Sequence, residues 1–194
     1  TAEILRQHRN TIRFRINKAK VLLGMEYSRC AFLEKVSLAL KGEALLRGLL
    51  DQGRDVLYIG FSSGLSGTFE ATDLLLRRLA EEYPDRTILA VDTLAASLGQ
   101  GLLVWYAATK AREGASITEV RDWLEQNKLH LAHWFTVDDL MFLFRGGRVS
   151  KTSAWAGTLL NIKPVMHVDD EGHLVPLEKV RGRRKSLKAL VDHM

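Results

Sequence analysis

The feature that most constrains this chain is a hydrophobic period that switches repeatedly between residues 43 and 137. "EALLRGLLDQ" (43–52) places Leu45, Leu46, Leu49 and Leu50 on one stripe of a helix, and Gly53 follows as a C-terminal stop. "DVLYIGF" (55–61) is short, β-branched and aromatic, with no helical period, which predicts a buried strand. The spacing then predicts a helix over 68–83 with Leu74, Leu75, Leu76 and Leu79 inward, ended by Pro84. "RTILAVD" (86–92) is the next strand and 95–114 the next helix. Ser116 and Glu119 form a capping box that opens a helix over 116–129, and "HLAHWFTV" (130–137) reads as a further strand. Strand, helix, strand, two helices, strand implies an α/β fold: an open parallel sheet with helices on both faces and ligand loops at the strands' carboxyl ends.

Past residue 137 the pattern changes. "DDLMFLFRGGRVS" (138–150) predicts a short helix stopped by Gly146-Gly147, and two β-rich stretches flank Asp169-Asp170-Glu171-Gly172, an acidic, Gly-ended hairpin signal. "RRKSLKALVDHM" starts a final helix. The expected organisation is therefore a parallel α/β domain over 42–137 and the start of a second α+β, mixed-sheet domain over 138–194. Residues 1–41 begin with an arginine-rich amphipathic stretch and match neither unit.

Composition narrows the function classes. With 194 residues, 46% of them apolar, the chain can bury a core. No apolar run reaches the roughly 18 to 20 residues of a membrane span, and no signal-type start is present, so the reading is a cytoplasmic protein without stable membrane insertion. One cysteine, Cys30, excludes an intrachain disulfide and a thiolate-pair metal site. The net charge of +5 lies mostly in "RQHRNTIRFRINKAK" and "KVRGRRKSLK"; neither has the basic–aromatic interleaving of a single-strand nucleic-acid reader, so no nucleic-acid partner is expected. A basic nucleic-acid-binding protein stays as an alternative class.

The chemistry concentrates in "YIGFSSGLSGTF" (58–69), at the end of a strand and the start of a helix. Unpaired amides and the helix dipole favour an anion there. Ser62, Ser63, Ser66 and Thr68 add hydroxyls, while Gly64 and Gly67 allow close approach. The same letters contain Gly60-Phe61-Ser62-Ser63-Gly64, a G-x-S-x-G nucleophile elbow, which makes a serine hydrolase using Ser62 the alternative. Its triad partners would come from Asp92, Asp138 or Asp139 and from His167, His173 or His193, but no HGGG-like oxyanion segment accompanies them. The plainest reading is a strand–helix turn in which Ser66 or Thr68 caps the helix.

Taken together, "YIGFSSGLSGTFEAT", "VDTLAASLGQGLLV", "DDLMFLFRGGRVS", "GTLLNIKPVMHVDDEGHL" and "KVRGRRKSLKAL", in this order, closely resemble the DegV family of bacterial fatty-acid-binding proteins over about residues 42 to 194. The resemblance implies a long-chain, palmitate-like fatty acid in an apolar tunnel and no other cofactor or metal. It implies that the carboxylate meets Ser62, Ser63, Gly64, Ser66 and Gly67, with Ser63 the first choice. It also implies no catalysis by this chain, and presentation of the acid to a dihydroxyacetone-kinase-like fatty acid kinase that forms an acyl phosphate. Candidate tunnel residues are Phe61, Leu65, Leu160, Ile162 and Met166, all equally at home in a core; Arg145, Arg148 and Arg181 are expected to face the partner. Residues 1–41 lack the family's Asp-Ser-Thr strand and its Thr-Ser-Gln segment, where Ser37 is the nearest stand-in, and the second domain stops short. The sequence thus reads as a shortened or frame-altered member.

Overall fold

The computed structural model describes residues 41–150 and 162–193. The expectations attached to residues 1–40, with Ser37, and to Leu160 lie outside the described residues. The described residues fall into two units divided between Leu49 and Leu50. In the first, residues 41–49 belong to a helix, α1 (41–51), in which Arg47 Nε meets Glu43 Oε1 at 3.1 Å, an i,i+4 pair.

In the second unit β1 (Val56–Gly60) and β2 (Ile88–Asp92) pair in parallel, with Val56 opposite Ile88 and Gly60 opposite Asp92. Between them runs α2 (Thr68–Glu82), and after them α3 (Ser97–Arg112) and α4 (Ile117–Asn127). Alternation along the strands decides what each face receives. Leu57, Ile59 and Val91 point to one face and pack with Leu103 and Ala107 of α3 and Val120 and Leu124 of α4. Tyr58 points to the other, where its ring stacks on Phe69 of α2 at 6.1 Å. Helices therefore cover both faces, as expected. Burying a residue such as Leu124 contributes about 1.5–3 kcal/mol, so this cluster carries the α/β half.

One local detail agrees with the sequence reading and another departs from it. The capping box is present: Glu119 N donates to Ser116 Oγ and Ser116 N to Glu119 Oε2. Leu74, expected inward, is 72% exposed, while Leu76 and Leu79 are buried. At about 100° per residue, Leu74 and Leu76 lie some 200° apart and cannot share a face.

The larger correction concerns β3 (Trp134–Thr136), expected as another strand of the parallel sheet. It runs antiparallel to β4 (Ile162–Val168), with Trp134 opposite His167, and β4 pairs antiparallel with β5 (Leu174–Arg181) in the order β3-β4-β5. A strand's own residues state its faces, not its partner, and a 3-10 turn over Lys128–His130 and an extended segment lead the chain away from β2 first. Among the described residues the parallel sheet has two strands. The predicted short helix is α5 (Leu140–Arg145), capped by Asp139, whose Oδ1 accepts from Met141 N at 2.8 Å. Leu140, Val149 and Met166 form a second core, joined by Phe135 and Leu174. The last helix, α6 (Arg183–Asp192), packs on the antiparallel sheet, and His193 beyond it stacks on Trp134 at 4.5 Å.

The hairpin is the expected one. Asp169 Oδ1 accepts from the amides of Glu171 and His173, and Gly172 holds φ +80°. Its tip lies on the loop after β1: a Cβ at Gly172 would fall 2.1 Å from Ser62 Oγ, and one at Gly64 would fall 2.6 Å from the Glu171 carbonyl. Gly172→Ala therefore meets both a left-handed backbone and a clash with a buried atom. It is expected to lower unfolding free energy by about 2–4 kcal/mol in urea titration, and a change under about 0.5 kcal/mol would contradict this docking.

Candidate functional site

The loop from Phe61 to Gly67 folds on itself before it can face a ligand. The Ser62 carbonyl accepts from both Leu65 N and Ser66 N at 3.1 Å, and Ser62 N donates to Ala95 O at 3.0 Å. Ser63 N donates to the Asp92 carboxylate at 3.2 and 3.3 Å, and Leu94 N donates to the same carboxylate at 3.1 Å. Three of the amides expected to cradle an external anion, those of Ser62, Ser63 and Ser66, thus have partners within the protein, one of them the protein's own carboxylate. At the loop's far end Ser66 Oγ and Thr68 Oγ1 are 2.8 Å apart, and Thr68 N donates to Ser66 Oγ.

Ser62 is fully buried, and its hydroxyl donates to Gly172 O at 2.8 Å. That geometry speaks against the nucleophile reading. The proton a base would remove is given to a carbonyl, Asp92 is engaged by amides, and His167 and His193 both stack on Trp134. His173 is exposed beside Asp169.

A cleft of about 950 Å³ opens next to this loop. Its walls come from the loop, from the first turn of α3 and from residues 131–137, and its lining is mainly apolar. Of the expected residues, Phe61, Leu65 and Ser66 line it; Ser62 lies behind it, and Ser63, Gly64 and Gly67 do not line it. Met166 is fully buried in the second core and Ile162 is half-buried at the start of β4 opposite Arg181; neither lines the cleft. Arg145 and Arg181 are exposed. Arg148 is at the cleft itself: its Nε donates to the Leu65 carbonyl at 3.0 Å, across 83 residues of sequence, and its guanidinium also meets Gly146 O.

Among the cleft residues without a site signal in the sequence are Ser97, His133 and Thr136. Leu94 (φ +50°) and Ser97 (φ +48°) are left-handed non-glycine residues on either side of the turn into α3, a strain of order 1 kcal/mol or more each that clusters at functional sites. The His133 ring packs against Gly99, where a Cβ would fall 2.6 Å from Nδ1. His133 Nδ1 and Thr136 Oγ1 are buried and have no hydrogen-bond partner among the described residues. Burial holds the imidazole's pKa below its usual 6.5. No group of side chains among the described residues could hold a metal ion, and no described helix is long and apolar enough to cross a membrane.

Comparison with known proteins agrees with this architecture. The family model described as "Uncharacterised protein, DegV family" matches residues 39–194. A DegV domain-containing protein of Clostridium perfringens is 51% identical over 143 residues, 74% of this chain and 49% of its own length. The DegV protein of Bacillus subtilis is 37% identical over 141 residues, 71% of this chain and 47% of its own. Among solved structures, a DegV lipid-binding protein of Thermotoga maritima superposes with a TM-score of 0.66 at 31% identity, covering 78% of this chain and 51% of that one. The Streptococcus pneumoniae fatty acid kinase B3 protein loaded with linoleic acid gives 0.69 at 28% identity, covering 72% and 50%. The chain thus spans about half the length of the relatives it matches.

Two outcomes follow from the geometry. Ser62→Ala leaves the Gly172 carbonyl buried without its donor and should cost about 1–3 kcal/mol, while a fluorophosphonate probe should label neither wild type nor variant; stoichiometric labelling of Ser62 would reinstate the hydrolase. For His133 the unfolded chain binds a proton more readily than the folded one, so stability should fall as pH drops below 6.5 toward the lower folded value. His133→Phe should flatten that part of the stability–pH curve in denaturant titrations.

Proposed function

Because the chain belongs to the DegV family, we propose that it binds a long-chain fatty acid, with the acyl chain in the cleft and the carboxylate at the rim formed by Ser66, Thr68 and Arg148. The observation that carries this is the cleft itself: about 950 Å³, largely apolar, with Arg148 the cation that lines it among the described residues. Its size is at the upper end of the roughly 300–1,000 Å³ of small-molecule sites. Each methylene removed from water contributes about 0.8 kcal/mol, so the apolar walls supply affinity and the rim supplies orientation. A guanidinium suits the rim, since it can meet a carboxylate with two parallel N–H donors. In this reading the Ser/Gly loop acts through Ser66 and Thr68, and Ser62 and Ser63 hold the loop in shape.

The protein is then a carrier, not a catalyst. A separate fatty acid kinase as its partner is supported by the similarity to the kinase B3 protein of Streptococcus pneumoniae, and exposed Arg145 and Arg181 are available for that contact. Solvent extraction of the purified chain followed by mass spectrometry should recover palmitate- or stearate-sized acids. An empty protein that also fails to bind added palmitate overturns the proposal. Arg148→Met should weaken palmitate binding about tenfold or more, as loss of a charge-assisted hydrogen bond predicts, while Arg145→Met should change it less than twofold.

A further inference from the structure

We propose that the cleft has a second polar station, at His133, which takes a neutral oxygen on the acyl chain, so that the ligand class is an oxygenated long-chain acid such as a hydroxy fatty acid. The inference rests on the fatty-acid reading and specifies its ligand. It begins from the contact between His133 and α3. The ring edge carrying Cγ, Nδ1 and Cε1 lies against Gly99, which leaves no room for a ligand or a water on that side. Nδ1 is buried and has no partner among the described residues.

That contact fixes the tautomer by a physical argument. A buried N–H without an acceptor forfeits a full hydrogen bond, whereas a bare nitrogen lone pair against a Cα–H loses less. The proton of the neutral ring therefore belongs on Nε2. Nε2 is on the opposite edge of the ring from the Gly99 contact, and His133 lines the cleft as well as a smaller cavity bounded by Leu94, Lys128 and Asp169. The backbone is held as well, since Val168 N donates to His133 O at 3.1 Å, and Phe135 packs at 5.9 Å between ring centroids. His133 thus presents one N–H donor from a fixed, largely apolar wall.

Charge decides what that donor suits. A carboxylate brought to a neutral imidazole inside an apolar wall would lose hydration without gaining an opposite charge. Arg148 at the rim, hydrogen-bonded to Leu65, offers that charge instead. A hydroxyl or keto oxygen part-way along the chain needs only a neutral donor, and a neutral N–H is what His133 supplies. Thr136 is not part of this station: in the strand it alternates to the side of Trp134, away from His133 and Phe135.

The test compares stearic acid with 10-hydroxystearic and 12-hydroxystearic acids by calorimetry on the full chain. At least one hydroxy acid is expected to bind about tenfold more tightly than stearic acid, the effect of one well-made hydrogen bond. His133→Phe should abolish that ratio, and His133→Gln, which keeps an N–H donor, should restore part of it. Nitrogen NMR of the imidazole gives a second readout that does not depend on the variants folding: wild type should show the Nε2–H tautomer, with the Nε2 signal moving on addition of the preferred hydroxy acid and not of stearic acid. Equal binding of all three acids, or an Nδ1–H tautomer, overturns this inference alone. Binding of none of them overturns the fatty-acid reading and this inference with it.

Discussion

The hydrogen bond from Ser62 Oγ to the Gly172 carbonyl, 2.8 Å long and buried, joins two points 110 residues apart. It ties the loop after the first parallel strand to the tip of the antiparallel hairpin, and the other features of the site follow from it. A hydroxyl enclosed in a protein interior must be paired, so a serine here commits the hairpin to this contact. The absence of side chains at Gly64 and Gly172 lets the two backbones come that close. Once Ser62 is turned inward, its carbonyl gathers Leu65 N and Ser66 N, and the remainder of the loop is rolled outward with Leu65 and Ser66 toward the cleft.

The opposite wall has an analogous origin. Gly99 admits the His133 ring against the first turn of α3, and His133 in turn brings residues 131–137 alongside the helix. Arg148, reaching the Leu65 carbonyl, fixes the end of the Gly146-Gly147 turn to the loop. Two close approaches at glycines and one long guanidinium thus set the shape of the cleft. They also distribute its chemistry, with a full positive charge at the rim and a neutral imidazole in the wall.

What could be read from sequence divides along the same line. The helices, β1, β2, the Ser116–Glu119 capping box and the Asp169–Gly172 hairpin are local: period, caps and turn residues state them within a few positions. The partner of β3 is not local, and "HLAHWFTV" carries nothing that distinguishes a third parallel strand from an antiparallel one. The Ser/Gly loop was legible as a strand–helix turn but not as a loop whose amides are already engaged, because Asp92 lies 29 residues further on. Phe61 and Leu65 could be picked as cleft residues from the loop; Met166 could not be separated from the core, since apolar type is the same in both places. His133 had no signal of its own, because what sets its position is the glycine on α3 that it packs against.

That α3 carries both duties explains how the site is held firm. The two parallel strands of the described residues have too little hydrogen bonding to be stable alone, and their order depends on the helices packed against them. The middle of α3 supplies Leu103 and Ala107 to the core, and Gln100 donates from its side chain to the Ile59 carbonyl of β1 at 3.1 Å. The first turn of the same helix, Ser97 to Gly99, is cleft wall. The strained entry to the helix at Leu94 and Ser97 is therefore held by burial a turn or two further along. A helix anchored in this way cannot shift its first turn without breaking the core, so the position of His133 against Gly99 inherits the rigidity of the α/β half.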